Sequence, residues 1–390
     1  MKKRSPSGAP REPAMGLESE LELWLDGEKV KPEDVFASPA SFIRGKLVHR
    51  KGRSYHLPSG GAVYFDTGVI EVATPIVEIA RGCGARATRL LWEGIDHVHR
   101  ELAAWDRKAR RKARLVGFST HVSVSFDAVR GPRRTVEDLA WVLAHILPAP
   151  VMLLGTNRAS TGVGVRPRGE RIEITADFNP DPERMVATAT LITAVARAVM
   201  QWPAYTMSML RAFGLPVVRG FAPMPHTSRK GWLARWDCFP KHPWDEGPDA
   251  AVWAVGGRKR VSTRDMAAHV VRHFEKEIRA LAPARTWTHI RSVVAGKRPS
   301  LMDLAARPAA YEDVGRLCGW NGLFSERALP RARYERVLLN ALHGVPLVKD
   351  GVRLTPVGIH GWLHVDFEDA RGKRRRFHLD ELVDDLRRWK

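Results

Sequence analysis

Four short segments of this chain alternate apolar and polar residues with a period of two, and in each the polar positions hold carboxylates, hydroxyls or an imidazole. In a β-strand, residues i and i+2 point to the same face. The run Gly16-Leu-Glu-Ser-Glu-Leu-Glu-Leu therefore sets Glu18, Glu20 and Glu22 opposite Leu17, Leu21 and Leu23. Glu71 sits among Val and Ile in Val69-Ile-Glu-Val-Ala-Thr-Pro. His121, Ser123 and Ser125 align opposite Val122 and Val124, and Arg171, Glu173, Thr175 and Asp177 align opposite Ile172 and Ile174. Strands of a parallel sheet are buried on both faces and do not read this way. The pattern predicts an antiparallel sheet with helices on one face and a cleft on the other. Carboxylates crowded on one face repel unless a cation lies among them, and oxygen ligands suit a hard cation such as Mg²⁺. The plainer alternative is that each glutamate is the solvent-facing half of an amphipathic strand.

The formal net charge is +20. Such an excess favours nucleotide phosphates, acidic substrates or nucleic acid as partners, or it is simply a solvated basic surface. With 390 residues, 44% of them apolar, the chain is long enough for two domains, or one large domain with an appendage. Cys83, Cys238 and Cys318 are too few and too far apart for a disulfide framework or a Cys-based zinc site. A reducing, cytoplasmic setting is expected, with no secretory leader and no membrane partner. The longest apolar run, residues 139–154, contains His145, Pro148 and Pro150, which reads as a buried helix followed by a strand.

Along the chain, residues 1–14 read as a disordered tail and residues 15–205 as the catalytic core. Residues 206–345 read as a mainly helical region that completes or covers that core, and 346–390 as a small strand-rich appendage. Within the core, strands are predicted at 17–25, 45–57, 62–66, 69–74, 117–126 and 171–177. Helices are predicted at 87–114, 136–147 and 182–201, the last opened by Pro182, a residue welcome in a first helical turn. Further helices are expected at 263–281, 332–342 and 379–389.

Gly16-Leu-Glu-Ser-Glu resembles the opening Gly-x-Glu-x-Glu strand of the glutamate–cysteine ligase and amidoligase families. Glu71-Val-Ala-Thr-Pro resembles their Glu-x-x-Thr-Pro strand end, and Gly117-Phe-Ser-Thr-His-Val-Ser-Val their Gly-x-His-x-His-Val segment. Arg166-Pro-Arg-Gly-Glu-Arg-Ile-Glu-Ile-Thr-Ala-Asp is similar to their Arg-Pro…Ile-Glu-x-Arg-x-x-Asp strand, and Asn157-Arg-Ala-Ser stands where they carry an Asn/Ser loop. The motifs keep the family order over roughly residues 15–200.

That resemblance implies an α+β fold: a glutamine-synthetase-like curved antiparallel sheet with helices on one face, plus a C-terminal extension. It implies an ATP-dependent carboxylate–amine ligase that forms an amide through an acyl phosphate. Glu18, Glu20, Glu71, His121 and Glu173 would hold Mg²⁺ or Mn²⁺. Arg166, Arg168 and Arg171 would act on the phosphates in catalysis, and Asn157, Arg158 and Ser160 with Arg166 and Arg168 would bind ATP. The substrates would be small amino acids or amines, or a peptide carboxylate. Two positions depart from the family: Thr175 replaces the arginine of Glu-x-Arg, with Arg171 placed to substitute, and Ser123 replaces the second histidine. Glu78 is expected on a turn after Pro75. The alternative function is a catalytically degenerate relative serving as a basic module for nucleic acid or an acidic partner. A kinase of the same fold, acting on an amine or guanidine, is a third.

Other signals are read as structural. Arg81-Gly-Cys-Gly-Ala opens a helix rather than a dinucleotide loop, because no bare strand precedes it. His97 and His99 diverge on a helix. Arg107–Arg114 is a basic helix end suited to the helix dipole, and Arg371–Arg376 a charged hairpin turn. Trp232, Trp236 and Trp244 are core or substrate-lobe residues.

Overall fold

The computed structural model describes residues 10–156, 162–226, 229–256, 259–303 and 326–389. Helix and antiparallel strand are mixed throughout, an α+β architecture. The described residues fall into two compact units that interleave along the chain. The first takes 10–79, 85–118 and 326–389; the second takes 80–84 and 119–303.

In the first unit, the strand Ala14–Leu25 pairs antiparallel with Val69–Ala73, which pairs in turn with Ala62–Asp66, Ser54–His56 and Val48–Lys51. Leu17, Leu21, Leu23 and Leu25 are buried, while Glu18, Glu20 and Glu22 are only half-buried, as the period of two requires. The helix Cys83–Ala109 contributes its residues from Ala85 onward. Leu90, Leu91, Ile95, Val98 and Leu102 are buried, and Gly94 lets the helix approach the sheet. A Cβ at that position would meet Val72 Cγ1 at 2.8 Å.

The helix stops at Ala109, not at Arg114. Arg110 turns to φ 55°, and Ala113 already begins the strand Ala113–Ser125. Asp26 decides this: its carboxylate accepts from Lys112 N at 2.8 Å and from Arg111 Nε at 2.5 Å. A tertiary tie outweighs the helix propensity of the Arg/Lys/Ala run. The basic run therefore straddles a helix end, a turn and a strand start.

The N-terminal stretch is held earlier than its composition suggests. Arg11 N donates to Asp380 Oδ2 at 3.0 Å, and the Arg11 guanidinium pairs with Asp384. The C-terminal part adds the helix Arg333–Leu342 and a four-stranded antiparallel sheet: Leu347–Lys349, Val352–His360, His364–Asp369 and Arg374–His378. Leu338, Leu354, Val365, Phe367, Leu379 and Leu382 form its core. The terminal helix runs Leu379–Asp384, with only a single 3₁₀ turn at Leu386–Arg388 beyond it. Arg374, Arg375 and Arg376 lie in the last strand, not in the turn before it.

In the second unit the strand order is Met224–Pro225, Trp232–Ala234, Val163–Pro167, Arg171–Asp177, then residues 119–125 of Ala113–Ser125. Thr135 caps the helix Val136–Ile146 and accepts from Asp138 N at 3.1 Å. Where the sequence suggested a strand after Leu147, a second helix, Pro148–Leu154, follows at a bend of 61°. Pro148 occupies its first turn, where no N–H is needed. Buried Leu and Val do not by themselves distinguish the two structures. The long helix Pro182–Met200 is capped by Asp181, which accepts from Glu183 N and Arg184 N. The expected helix 263–281 is two, Thr263–His273 and Glu275–Leu281, broken at Phe274; Ala284–Val294 adds another. Among the described residues no single helix is long and apolar enough to cross a membrane.

Candidate functional site

The register of the first unit puts three polar side chains in one row. Tyr64 faces Glu71 across one strand pair, and Glu71 faces Glu20 across the next. Cross-strand partners share a face, with Cβ atoms about 5 Å apart. Glu18 lies two residues along from Glu20 on that face. Glu71 is 3% exposed, and its Oε1 accepts the Tyr64 hydroxyl at 2.6 Å. Burial, then the charge and hydrogen bond of Glu18, push its carboxyl up to about 9. Burial, then Glu18 and Glu71, likewise raise the Tyr64 hydroxyl above the usual tyrosine range, and Arg50 opposes them. Arg50 stands over the Trp362 ring at 4.5 Å and donates to Ser54 Oγ at 3.3 Å. His56 is fully buried with its ring edge-on to Trp362 at 5.2 Å. Burial first, then Arg50, lowers His56 to about 3, so it is neutral.

An all-oxygen set of crowded carboxylates, with the Glu71 carboxyl held above its ordinary range by burial and by Glu18, fits a hard divalent ion.

The second unit carries a face of opposite character. Glu173 faces Ser123 and Arg166, and Thr175 faces His121 and Gly164. Glu173 is 1% exposed. Its Oε1 pairs with Arg166 Nη2 and lies 3.3 Å from Arg168 Nε, while Arg171 Nη2 is 3.7 Å from Oε2. Oε2 has no hydrogen-bond partner among the described residues. Arg166 Nη2 also approaches His121 Nδ1 at 3.3 Å, and Ser119 Oγ lies 3.1 Å from His121 Nε2. Thr175 does not stand in for an arginine: its Oγ1 accepts from Gly164 N at 3.0 Å. A Cβ on Gly164 would meet that oxygen at 2.3 Å, so the threonine is buttoned into the sheet.

Glu78 lies in a short strand, Val77–Glu78, and not on a turn. It accepts from Arg333 Nε and Tyr334 N, each at 3.2 Å, which ties the sheet to the C-terminal helix. Asn157, Arg158 and Ser160 lie outside the described residues. Sequence reasoning passed over Tyr64, Arg50 and His226. Tyr64 was within reach, since Ala62–Asp66 was read as a strand and Tyr64 is its central polar tip. His226 follows Met224–Pro225, and its Nδ1 accepts from Arg229 N at 3.1 Å. Burial, then Arg166, Arg229 and Arg168, hold its ring below the usual histidine range. Only the hairpin fold brings it to those arginines.

No family model matches this chain, and no curated protein matches it. Among solved structures it is similar to the complex between the prokaryotic ubiquitin-like protein Pup and its ligase PafA. The TM-score is 0.54 at 11% identity, over 96% of this chain and 92% of that one. A structure of the Pup ligase PafA with ADP also matches, at TM-score 0.46 and 11% identity, over 86% of this chain and 90% of that one. The first likeness establishes a shared fold, the glutamine-synthetase-like arrangement of antiparallel strands and helices.

Proposed function

We propose that this chain is an ATP-dependent ligase that joins a carboxylate to an amine through an acyl phosphate, with Mg²⁺ or Mn²⁺ as its cation. The observation that carries the reading is the row Tyr64–Glu71–Glu20 with Glu18 beside it, on a fold shared along nearly the whole chain with a ligase. Glu18, Glu20 and Glu71 would hold the metal. Bound there, the metal would supply positive charge that stabilises the transferred phosphoryl group.

The remaining work falls to this chain's own groups. Arg166 and Arg168, held by Glu173, meet phosphate oxygens by charge-assisted hydrogen bonds. Arg171, half-exposed, adds a third cation at the rim. The family arginine missing at position 175 is supplied by Arg166, which reaches His121 from the neighbouring strand. The specific likeness to glutamate–cysteine ligases belongs to this proposal, as does a peptide carboxylate as substrate. The solved neighbour was captured with Pup, a protein partner.

The test is ADP release with Mg²⁺ across a panel of amino acids, amines and peptides bearing free carboxylates, with amide product followed by mass. Glu71→Gln should lower turnover by roughly 100-fold or more while the protein stays folded, because the lost charge acts mainly on the transition state. Unchanged turnover in that variant, or equal turnover in EDTA, would overturn the mechanism.

A second reading, a basic binding module without chemistry, is favoured by one observation: Thr175 is a packing residue where the family carries an arginine. It predicts that nucleic acid or an acidic protein binds with a steep salt dependence that Glu71→Gln leaves untouched.

A further inference from the structure

The polar face of the first unit's sheet does not end at Tyr64. Glu18, Ala73, Ala62, His56 and Val48 are successive register partners across five strands, so they share that face. Ser54 and Arg50 lie two residues from His56 and Val48 on the same two strands. Arg50 is half-buried, while His49 and Lys51 on either side of it are exposed. Its Nη1 donates to Ser54 Oγ at 3.3 Å. One step along the register from the pair Tyr55 and Val63, Ser54 comes level with Tyr64. Arg50 thus closes the row Glu20, Glu71, Tyr64, Ser54 on the edge strand of the sheet. It is the cation of a row otherwise made of carboxylates and hydroxyls.

The C-terminal sheet reaches the same place. Gly361, Trp362 and Leu363 join the strand Val352–His360 to His364–Asp369. Gly361 takes φ 58°, a left-handed conformation that glycine adopts without strain. Leu363 O accepts from Leu379 N at 2.7 Å. Between these two fixed points Trp362 sets its ring against the Arg50 guanidinium at 4.5 Å and edge-on to the buried His56 at 5.2 Å. Val48, beside them, packs into the apolar core of the C-terminal sheet. A guanidinium over an indole is oriented by the ring without losing its charge.

We infer that Trp362 is a positioning residue for Arg50, and that Arg50, so held, binds an anionic oxygen of the reactants, from a nucleotide phosphate or a substrate carboxylate, at the end of the carboxylate row. The inference rests on the ligase reading and gives the C-terminal sheet a task, that of supplying one wall of the cleft. An anion brought up to three glutamates needs fixed positive charge besides the metal, and a guanidinium pairs with either kind of anion in the same forked geometry. The charge of Arg50 reaches the row, since it opposes Glu18 and Glu71 at the Tyr64 hydroxyl. Stacking on Trp362 fixes the long side chain beforehand, so less freedom is lost when the anion arrives.

The test uses the full chain. Calorimetry gives its affinity for Mg-ATP, and ADP release gives KM for ATP and for whichever carboxylate of the panel supports most turnover. Arg50→Gln should raise one of these constants about tenfold or more while kcat changes only a few-fold. A rise for ATP names the phosphate, and a rise for the other reactant names the carboxylate. Trp362→Ala should raise the same constant by roughly a few-fold, and Trp362→Phe, which keeps an aromatic face, by less. In the Arg50→Gln background Trp362→Ala should cost no further affinity, whereas a tryptophan with only a packing role would act equally in both backgrounds. Urea midpoints check that each variant folds. Unchanged constants in Arg50→Gln, or additive effects in the double variant, overturn the inference while turnover by the unmodified chain keeps the ligase reading. If the unmodified chain shows no turnover, the ligase reading falls and Mg-ATP affinity decides alone: weaker binding in Arg50→Gln upholds the inference, and equal binding overturns it.

Discussion

Glu71 and Glu173 are the same residue, each within an antiparallel strand, each with almost no exposed surface. Their surroundings are opposite. Glu71 has two glutamates and a tyrosine around it, and takes up a proton to live there. Glu173 has three arginines around it. Sequence position in the strand decides how deeply a glutamate is buried. The neighbouring strand decides what its charge is for. At Glu71 the partner strands bring more oxygen, from Glu20 and Tyr64. At Glu173 the partner strand Val163–Pro167 brings Arg166, and the turn beyond it brings Arg168.

The contrast can be broken most sharply at Glu173. Glu173→Ala leaves Arg166, itself 7% exposed, buried without its counter-ion. Removing one partner of a buried pair costs about 3–5 kcal/mol. A fall of that size in unfolding free energy, read from urea midpoints, is expected without nucleotide. A neutral result would mean that His121 and solvent already satisfy Arg166, and that the two glutamates differ less than the geometry says.

At Glu71 the metal-free protein should behave in the opposite sense. A carboxyl whose folded pKa lies above its unfolded value binds a proton on folding. Its contribution is complete below about 4.5 and is lost as the pH rises through about 9. In EDTA, stability should therefore fall across that window, and Glu71→Gln should flatten the fall. The difference between the two curves is expected on the order of 1–2 kcal/mol, because Glu18 shares the proton. Parallel curves would show that Glu71 is already ionised.

The smallest effect belongs to Arg171. It is 47% exposed at 3.7 Å from Glu173, so Arg171→Gln should change stability by less than about 1 kcal/mol. If the ligase reading is right, the same variant should raise the KM for ATP more than it lowers kcat. A large loss of stability would move Arg171 from the rim into the cluster.

Much of this was legible in the sequence because strands advertise their faces. The alternation at 17–25 and 171–177 gave the right residues to the right sides, and the order of motifs pointed to the fold. What escaped was whatever depends on a partner strand. Tyr64 had no reason to matter until the register set it against Glu71. Thr175 read as a missing arginine, and only Gly164 beside it shows a packing role. Helix ends failed where a distant carboxylate intervened, as Asp26 does at Lys112. The segment 148–154 failed because a short apolar run carries no period of its own.

The clasp at Glu78 bears on how the molecule is made. Glu78 is gripped by Arg333 and Tyr334, Arg11 by Asp380, and Arg89 lies 3.6 Å from the wholly buried Glu335. Glu78 leaves the ribosome 255 residues before Arg333. At 5–20 residues per second that is a delay of roughly 13–50 s. Throughout it, the first sheet has its glutamates and its core strands but not the helix that ties them down. The second unit, nearly contiguous in the chain, has no such delay. The nascent chain thus completes its middle before its beginning, and its first-made strands are the ones a chaperone would have to shelter.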